Sequence, residues 1–463
     1  MSDPMDLSAR AVSAAVLSGA LAPMAVAEAA LARIAERDPA LGAFTDVDAD
    51  ALRADAAALS RRLAAGERPP LAGAPLAVKD NIWIEGRRIT QGSRLFADHR
   101  PDRDAVAVAR ARAAGALIVG VAACSEFACK GVTTTPLHGP TRHPEDPALT
   151  PGGSSGGPAT ALGAGMAALA LGTDAGGSGR RPAAHCGLVG FKPSLGAIPY
   201  GPGFAEPCWN VSVISPMARD VGDAAALFEA LAGFDPRDPC SAVALRGAGD
   251  PGRLRIAWAP TLGLEAAVDA DVAERTAAAV ETLKAAGFEV AEAAPRWPEA
   301  ADAGLVLDIQ HAGLAALHGA RWRATPDVFD PDLAAQIERG LGLSGAAVAR
   351  AFEAGQAIRD ALAEFHLAFD LLLCPTTPCP AWPLERLGPA MIGGRPAGPR
   401  DHAVFTAQFN HGMGPAISIP CGRGASGLPL GLQVAAAVGR DREVLGAALA
   451  FERALAPASE ALA

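Results

Sequence analysis

Two short clusters of glycine and serine lie close together in the chain, Gly152-Gly153-Ser154-Ser155-Gly156-Gly157 and Gly176-Gly177-Ser178-Gly179. Core-forming residues surround both, which a flexible linker would have no reason to carry. Each cluster presents one working serine, Ser154 or Ser178, on a backbone turned as glycine readily allows. The second cluster follows an apolar run ending in Gly172-Thr173-Asp174-Ala175. Successive small residues there let several backbone N–H groups converge on one point. That arrangement suits the negative oxygen of a tetrahedral intermediate, where one lost donor commonly costs ~3–4 kcal/mol. A serine beside such donors reads as a nucleophile, and its hydroxyl then needs a base.

The nine histidines are scattered and form no recognisable arrangement with either serine. Lys79 is the other candidate, at the end of the apolar run Pro75-Leu76-Ala77-Val78. A lysine buried there has its pKa lowered by desolvation, so its neutral amine can accept a proton; arginine cannot play that part. The chain writes its positive charges mostly as arginine: of 40 basic residues, four are lysines, at 79, 130, 192 and 284. Lysine at 79 is therefore informative, although taken alone it also reads as a strand-end residue facing solvent. Gly152, Ser154 and Gly156 also satisfy G-x-S-x-G, the elbow of α/β-hydrolases. That elbow needs a strand directly before it, and residues 138–150 offer His, Pro and Asp instead. No Gly-Lys-Ser/Thr follows either cluster, so a phosphate loop in its usual form is excluded, and the dinucleotide glycine spacing is incomplete.

The elements that must position these residues read as an alternation of helix and apolar strand. Helical 104–114 precedes the continuous apolar run 116–121, and the pattern recurs at 159–165 then 167–171. It recurs again at 271–286 then 288–292, and at 356–368 then 370–374. This predicts an α/β chain with a mostly parallel or mixed sheet covered by helices. Residues 1–65 read as helices, with starts at Ser8 and Pro23; they suit intramolecular packing or a homodimer equally. Asp220 reads as the cap of a helix over 220–231. The stretch 236–253 is the best candidate boundary, and 296–400 is the least readable part.

Bulk properties narrow the function. The 463 residues are half hydrophobic, enough for a large core. A net charge of −10 argues against a nucleic-acid partner and against a polybasic membrane surface. The eight cysteines, at 124, 129, 186, 208, 240, 374, 379 and 421, include no C-x-x-C pair. They read as buried small hydrophobes in a reducing compartment, not as a zinc site or disulfide framework. No segment keeps ~20 residues apolar without glycine, proline or charge, so no membrane span is expected. A cytoplasmic location is the expectation.

Lys79-Asp80-Asn81, the cluster 152–157, and Gly172–Arg180 followed by Pro182-Ala183 and Cys186-Gly187 together resemble the amidase signature family. The resemblance extends to Glu126-Phe127, Gly139-Pro140, Gly190–Ser194, Ser215–Asp220, Phe409-Asn410, Gly414-Pro415-Ala416 and Gly427–Gln433, and so covers most of the chain. It implies a single amidase domain over 1–463, with a signature core of about 70–235 and a variable, substrate-shaping part of about 250–400. The implied fold is a central mixed β-sheet with helices on both faces. The implied triad is Ser178 as nucleophile, Ser154 as proton relay reached through a cis peptide, and Lys79 as base. The implied oxyanion donors are the N–H groups of Ala175, Gly176, Gly177 and Ser178, with Asp174 and Arg180 holding the loop. Trp209 is the implied substrate-binding residue. The implied reaction is hydrolysis of a linear carboxylic amide through an acyl-enzyme, with no metal or organic cofactor and a small-molecule amide as partner. The A subunit of a glutamyl-tRNA amidotransferase and a urea-type or biuret hydrolase are the alternatives within the resemblance. Two residues depart from the family pattern: Gly179 stands where a bulky aliphatic residue is usual, and Arg181 where a smaller or neutral one is. They are expected to loosen the nucleophile loop or enlarge the wall behind it.

Overall fold

The computed structural model describes residues 3–301 and 304–460. Eleven strands form its main sheet: β1 (Phe44–Asp46), β2 (Pro75–Lys79), β3 (Leu117–Ala122), β4 (Leu169–Asp174), β5 (Val189–Lys192), β6 (Val213–Ala218), β7 (Ile256–Trp258), β8 (Val290–Glu292), β9 (Leu371–Pro375), β10 (Ala416–Arg423) and β11 (Pro429–Ala435). Their order across the sheet is β1-β3-β2-β4-β6-β5-β10-β11-β9-β7-β8. The pairs β3–β2, β2–β4, β9–β7 and β7–β8 are parallel, and the remaining pairs are antiparallel. The sheet is mixed, as expected, and strands from both sides of 236–253 belong to it.

The apolar strands are explained by burial on both faces. Leu371 and Leu373 face one core and Leu372 the other; Leu76 and Val78 likewise oppose Ala77, and Leu169 and Leu171 oppose Ala170. Alternating Cβ directions put successive residues on opposite faces, so a strand covered twice must be apolar throughout. Helices Val106–Ala113, Val221–Leu231, Ala270–Ala285 and Asp441–Glu460 cover the first face. Helices Pro23–Leu41, Ala49–Ala64 and Gly156–Gly163 cover the second around β2–β4, and Gly345–Ala368 covers it around β9. Polar starts set several of these helices: Ser8 accepts the Ala11 N–H and Asp220 the Asp223 N–H.

Topology brings the site together at one end of parallel neighbours. Val78 of β2 is level with Leu171 of β4, so Lys79 and the Thr173-Asp174 end of β4 emerge side by side. Functional groups of α/β proteins commonly collect at such carboxyl ends. β2 ends at Lys79, and the chain turns at Asp80, whose carboxylate accepts the Thr90 N–H at 2.7 Å.

Each leucine buried in this sheet stabilises the fold by about 1.5–3 kcal/mol. Truncating Leu373 to alanine leaves a cavity in the core on the first face of β9 and is expected to cost about 2–5 kcal/mol in denaturant unfolding. The exposed Leu367→Ala serves as the comparison and is expected to change stability by less than about 0.5 kcal/mol.

Candidate active site

Lys79 is fully buried, and its amine lies 2.8 Å from Ser154 Oγ and 2.8 Å from Thr173 Oγ1. Asn81 Nδ2 donates to the same Thr173 hydroxyl at 3.1 Å. Desolvation dominates the electrostatics: burial pushes the Lys79 pKa down to about 8, although nearby thiols and Asp174 favour its charged form. A substantial neutral fraction near physiological pH is the chemical consequence.

Ser154 sits in a loop compressed between backbones. A Cβ on Gly153 would lie 2.8 Å from the backbone of Val132, so no larger residue fits beside Ser154. The Gly153–Ser154 peptide is cis. Thr133 Oγ1 donates to the Gly152 carbonyl and accepts the Gly156 N–H, both at 3.0 Å, which clamps the loop from outside. No strand runs directly into the loop, as an α/β-hydrolase elbow would require, and the hydrogen-bond partner of Ser154 Oγ is a lysine.

Ser178 lies on the neighbouring loop, to which the first is tied by the Ser155 N–H donating to the Ser178 carbonyl at 3.2 Å. Ser178 opens onto a cavity of about 450 Å³, the size of a small-molecule site. Among the described residues no hydrogen bond joins the Ser154 and Ser178 hydroxyls. Lys79 and Ser154 therefore meet directly, and Ser178 stands beside them with its hydroxyl uncommitted.

The four expected oxyanion donors separate into two kinds. Ala175, Gly176 and Ser178 line the cavity. The Gly177 N–H instead donates to Asp174 Oδ1 at 2.8 Å. Gly177 is excluded as a free donor, because that N–H serves the closure of its own loop. Its φ of +109° lies where glycine is favoured.

Asp174 and Arg180 form a wholly buried pair, with Nη2 2.9 Å from Oδ1 and Nε 3.0 Å from Oδ2. Asp174 also accepts the Gly179 N–H at 3.1 Å and the Asn410 amide at 2.9 Å. Burial alone would raise the Asp174 pKa, but the charge and hydrogen bonds of Arg180, with Asn410, hold it well below the usual carboxylate range. Arg180 reaches onward to Gln433 Oε1 at 2.8 Å, the Thr406 carbonyl at 3.1 Å and Asn410 Oδ1 at 2.6 Å. The Ser178 loop is thus fastened to β11 and to the short helix Ala407–His411, more than 200 residues away in sequence.

The two departures do the opposite of loosening the loop. A Cβ on Gly179 would overlap Ser215 Oγ and lie 2.8 Å from Ser215 Cβ, so a neighbour already fills the space of the missing side chain. Arg181 is 3% exposed and donates to the carbonyls of Gly176 at 2.7 Å and Gly153 at 3.2 Å. One guanidinium thereby bridges both glycine loops.

Trp209 is a correction. It is 40% exposed and stacks on Phe352 with ring centroids 6.2 Å apart, outside the cavity wall. Its neighbours Cys208 and Val211 line the cavity instead, along with Trp297, Val306, Leu307, Gln310, Arg400, Val404 and His411. Several of these wall residues, from Trp297 to Arg400, come from the stretch 296–400. Sequence reasoning missed Thr173, Thr406 and the wall residues. Asn410 and Gln433 lie in the motifs that carry the resemblance, where a polar residue inside an apolar stretch is the available signal.

The model of the Amidase family matches residues 25–445. The chain is 37% identical to the A subunit of the glutamyl-tRNA(Gln) amidotransferase of Thermus thermophilus, covering 97% of this chain and 98% of that one. It is 35% identical to an acylamidase of Rhodococcus erythropolis, covering 96% and 95%. Among solved structures it resembles a bacterial aryl acylamidase (TM-score 0.88, 27% identity, 97% and 96% covered) and a 6-aminohexanoate cyclic dimer hydrolase (TM-score 0.86, 28% identity, 97% of each covered). Amide C–N bond hydrolysis is the chemistry these findings support. A motif set read from two glycine clusters and one buried lysine, a mixed sheet between helices, and a family match across most of the length agree: this chain belongs to the amidase signature family.

Proposed function

We propose that this chain hydrolyses a linear carboxylic amide through an acyl-enzyme on Ser178, with Ser154 and Lys79 carrying the proton. The observation that carries the reading is the buried Lys79 amine 2.8 Å from Ser154 Oγ, beside a serine that opens onto a small-molecule cavity. Neutral Lys79 takes a proton from Ser154, which takes one from Ser178 as Ser178 Oγ attacks the carbonyl carbon. The Ser154–Ser178 link closes when substrate seats, as catalytic hydrogen bonds often do. Negative charge develops on the carbonyl oxygen, facing the N–H groups of Ala175, Gly176 and Ser178. The C–N bond then breaks, and the amine leaves with the proton returned through Ser154. Water attacks the ester, its proton passing through Ser154 to Lys79; the Ser178 Oγ–carbon bond then breaks, the proton returns by the same route to Ser178 Oγ, and the acid departs. Asp174, Arg180 and Arg181 are positioning residues, acting through the backbone they hold.

The Thermus relative supports a second reading, in which the chain works as the glutaminase component of an amidotransferase, together with partner proteins. Glutaminase activity that appears only on adding those partners would favour it over a stand-alone hydrolase.

A serine-reactive fluorophosphonate is expected to label Ser178, and Ser178→Ala to abolish both labelling and ammonia or amine release in a screen over aliphatic, aryl, dipeptide-like and urea-type amides. Labelling at Ser154, or persistence in Ser178→Ala, would overturn the assignment. Lys79 titrates near 8, so kcat/KM is expected to rise with pH as its ammonium loses a proton and to level above about 8. Lys79→Ala is expected to lower kcat by about 10²–10⁴-fold and to remove that inflection in a stopped-flow pH profile.

A further inference from the structure

One cavity-lining cation stands apart from the others. Lys130 pairs with Asp330 at 2.5 Å and Asp332 at 3.2 Å, and Arg339 pairs with Asp308 at 3.3 Å. Arg181 is committed to the carbonyls of the two glycine loops. Arg400 has no acidic partner in ion-pairing range among the described residues. Its guanidinium makes one hydrogen bond there, Nη2 donating to the Cys129 carbonyl at 3.1 Å.

Its position is the second observation. Arg400 lines the cavity that holds Ser178 and also an adjoining cavity of about 410 Å³, so it stands where the two chambers meet. The acids on the wall of the first, Glu265 and Asp401, are exposed at its edge. Asp401 is already engaged with the Gly398 N–H at 2.8 Å. Burial lowers the Arg400 pKa, and its charge adds to the lowering at Arg181. Two guanidinium groups on the wall of one cavity, neither paired with an acid among the described residues, favour an anion there. The rest of the wall, including Val211, Val306, Leu307 and Val404, offers apolar surface.

We propose that Arg400 anchors a carboxylate of the substrate, so that the amides cleaved here carry an acidic group on an otherwise apolar body. Arginine suits this role because its planar fork can take a carboxylate through two parallel hydrogen bonds. The inference rests on Ser178 as the nucleophile for its catalytic meaning, but carboxylate binding can be read without turnover.

The test pairs glutaric acid mono-4-nitroanilide, which carries a free carboxylate, with uncharged hexanoyl 4-nitroanilide. Wild type is expected to favour the acid by about tenfold or more in kcat/KM, the size of one charge-assisted hydrogen bond. Arg400→Gln is expected to shrink that ratio by about tenfold, mainly through KM, and Arg400→Lys to restore part of it. An equal or reversed preference in wild type, or an unchanged ratio in Arg400→Gln, overturns the proposal. The binding arm uses the full-length wild-type chain. Glutarate, and not neutral glutaramide, is expected to slow fluorophosphonate labelling of Ser178. Equal protection by both, or by neither, overturns the proposal. If Ser178 is not labelled at all, the nucleophile assignment has failed. Calorimetric titration of glutarate into wild type and Arg400→Gln then still decides: binding weakened about tenfold by the substitution supports the anchor, and no binding to wild type overturns it.

Discussion

The buried Asp174–Arg180 pair is the contact on which the rest of the site depends. Both residues are fully desolvated, and such a pair offsets its burial when the remaining donors and acceptors are also satisfied. Here they are satisfied by the loop itself and by distant side chains. Asp174 takes the Gly177 and Gly179 N–H groups, and Arg180 takes Gln433, Asn410 and the Thr406 carbonyl. The same bonds that compensate the buried charges curl the Ser178 loop and fasten it to the far end of the chain. The closure consumes the Gly177 N–H, which leaves Ala175, Gly176 and Ser178 to face the cavity.

Around that pair, desolvation works in two directions. Lys79 is surrounded by sheet and glycine loop, so water cannot stabilise its ammonium, and its amine is poised near the pH where a base is useful. Asp174 is just as buried, yet stays ionised because a full positive charge touches it. Identical burial thus gives an amine that readily loses its proton at one position and a permanent anion at the other. The difference lies in the partners: hydroxyls for the lysine, a guanidinium for the aspartate.

Arg181 shows how a chain can depart from a family pattern without losing the geometry. In place of a smaller side chain, its guanidinium joins the carbonyls of Gly153 and Gly176, so that the two glycine loops share one donor. Gly179, the other departure, is required by the closeness of Ser215 on β6. The wall behind Ser178 is filled rather than enlarged.

Local residue types determined much of this protein. Apolar runs after helices specified strands buried on both faces, because alternating side chains leave no solvent face. Glycine–serine clusters beside core residues specified turns that carry hydroxyls, a local property legible at Ser154 and Ser178. A lysine at the end of an apolar run left a desolvated amine and a solvent-facing one both open, and the packing around Lys79 decided for the buried amine. Tertiary structure decided what depends on partners distant in sequence. It committed the Gly177 N–H to Asp174 and set Trp209 on the surface against Phe352. It brought Thr406, Asn410 and Gln433 to Arg180, and left Arg400 at a cavity wall without an acid. Hydrogen-bond satisfaction and charge pairing are settled by which groups meet in space, and spacing along the chain does not encode that.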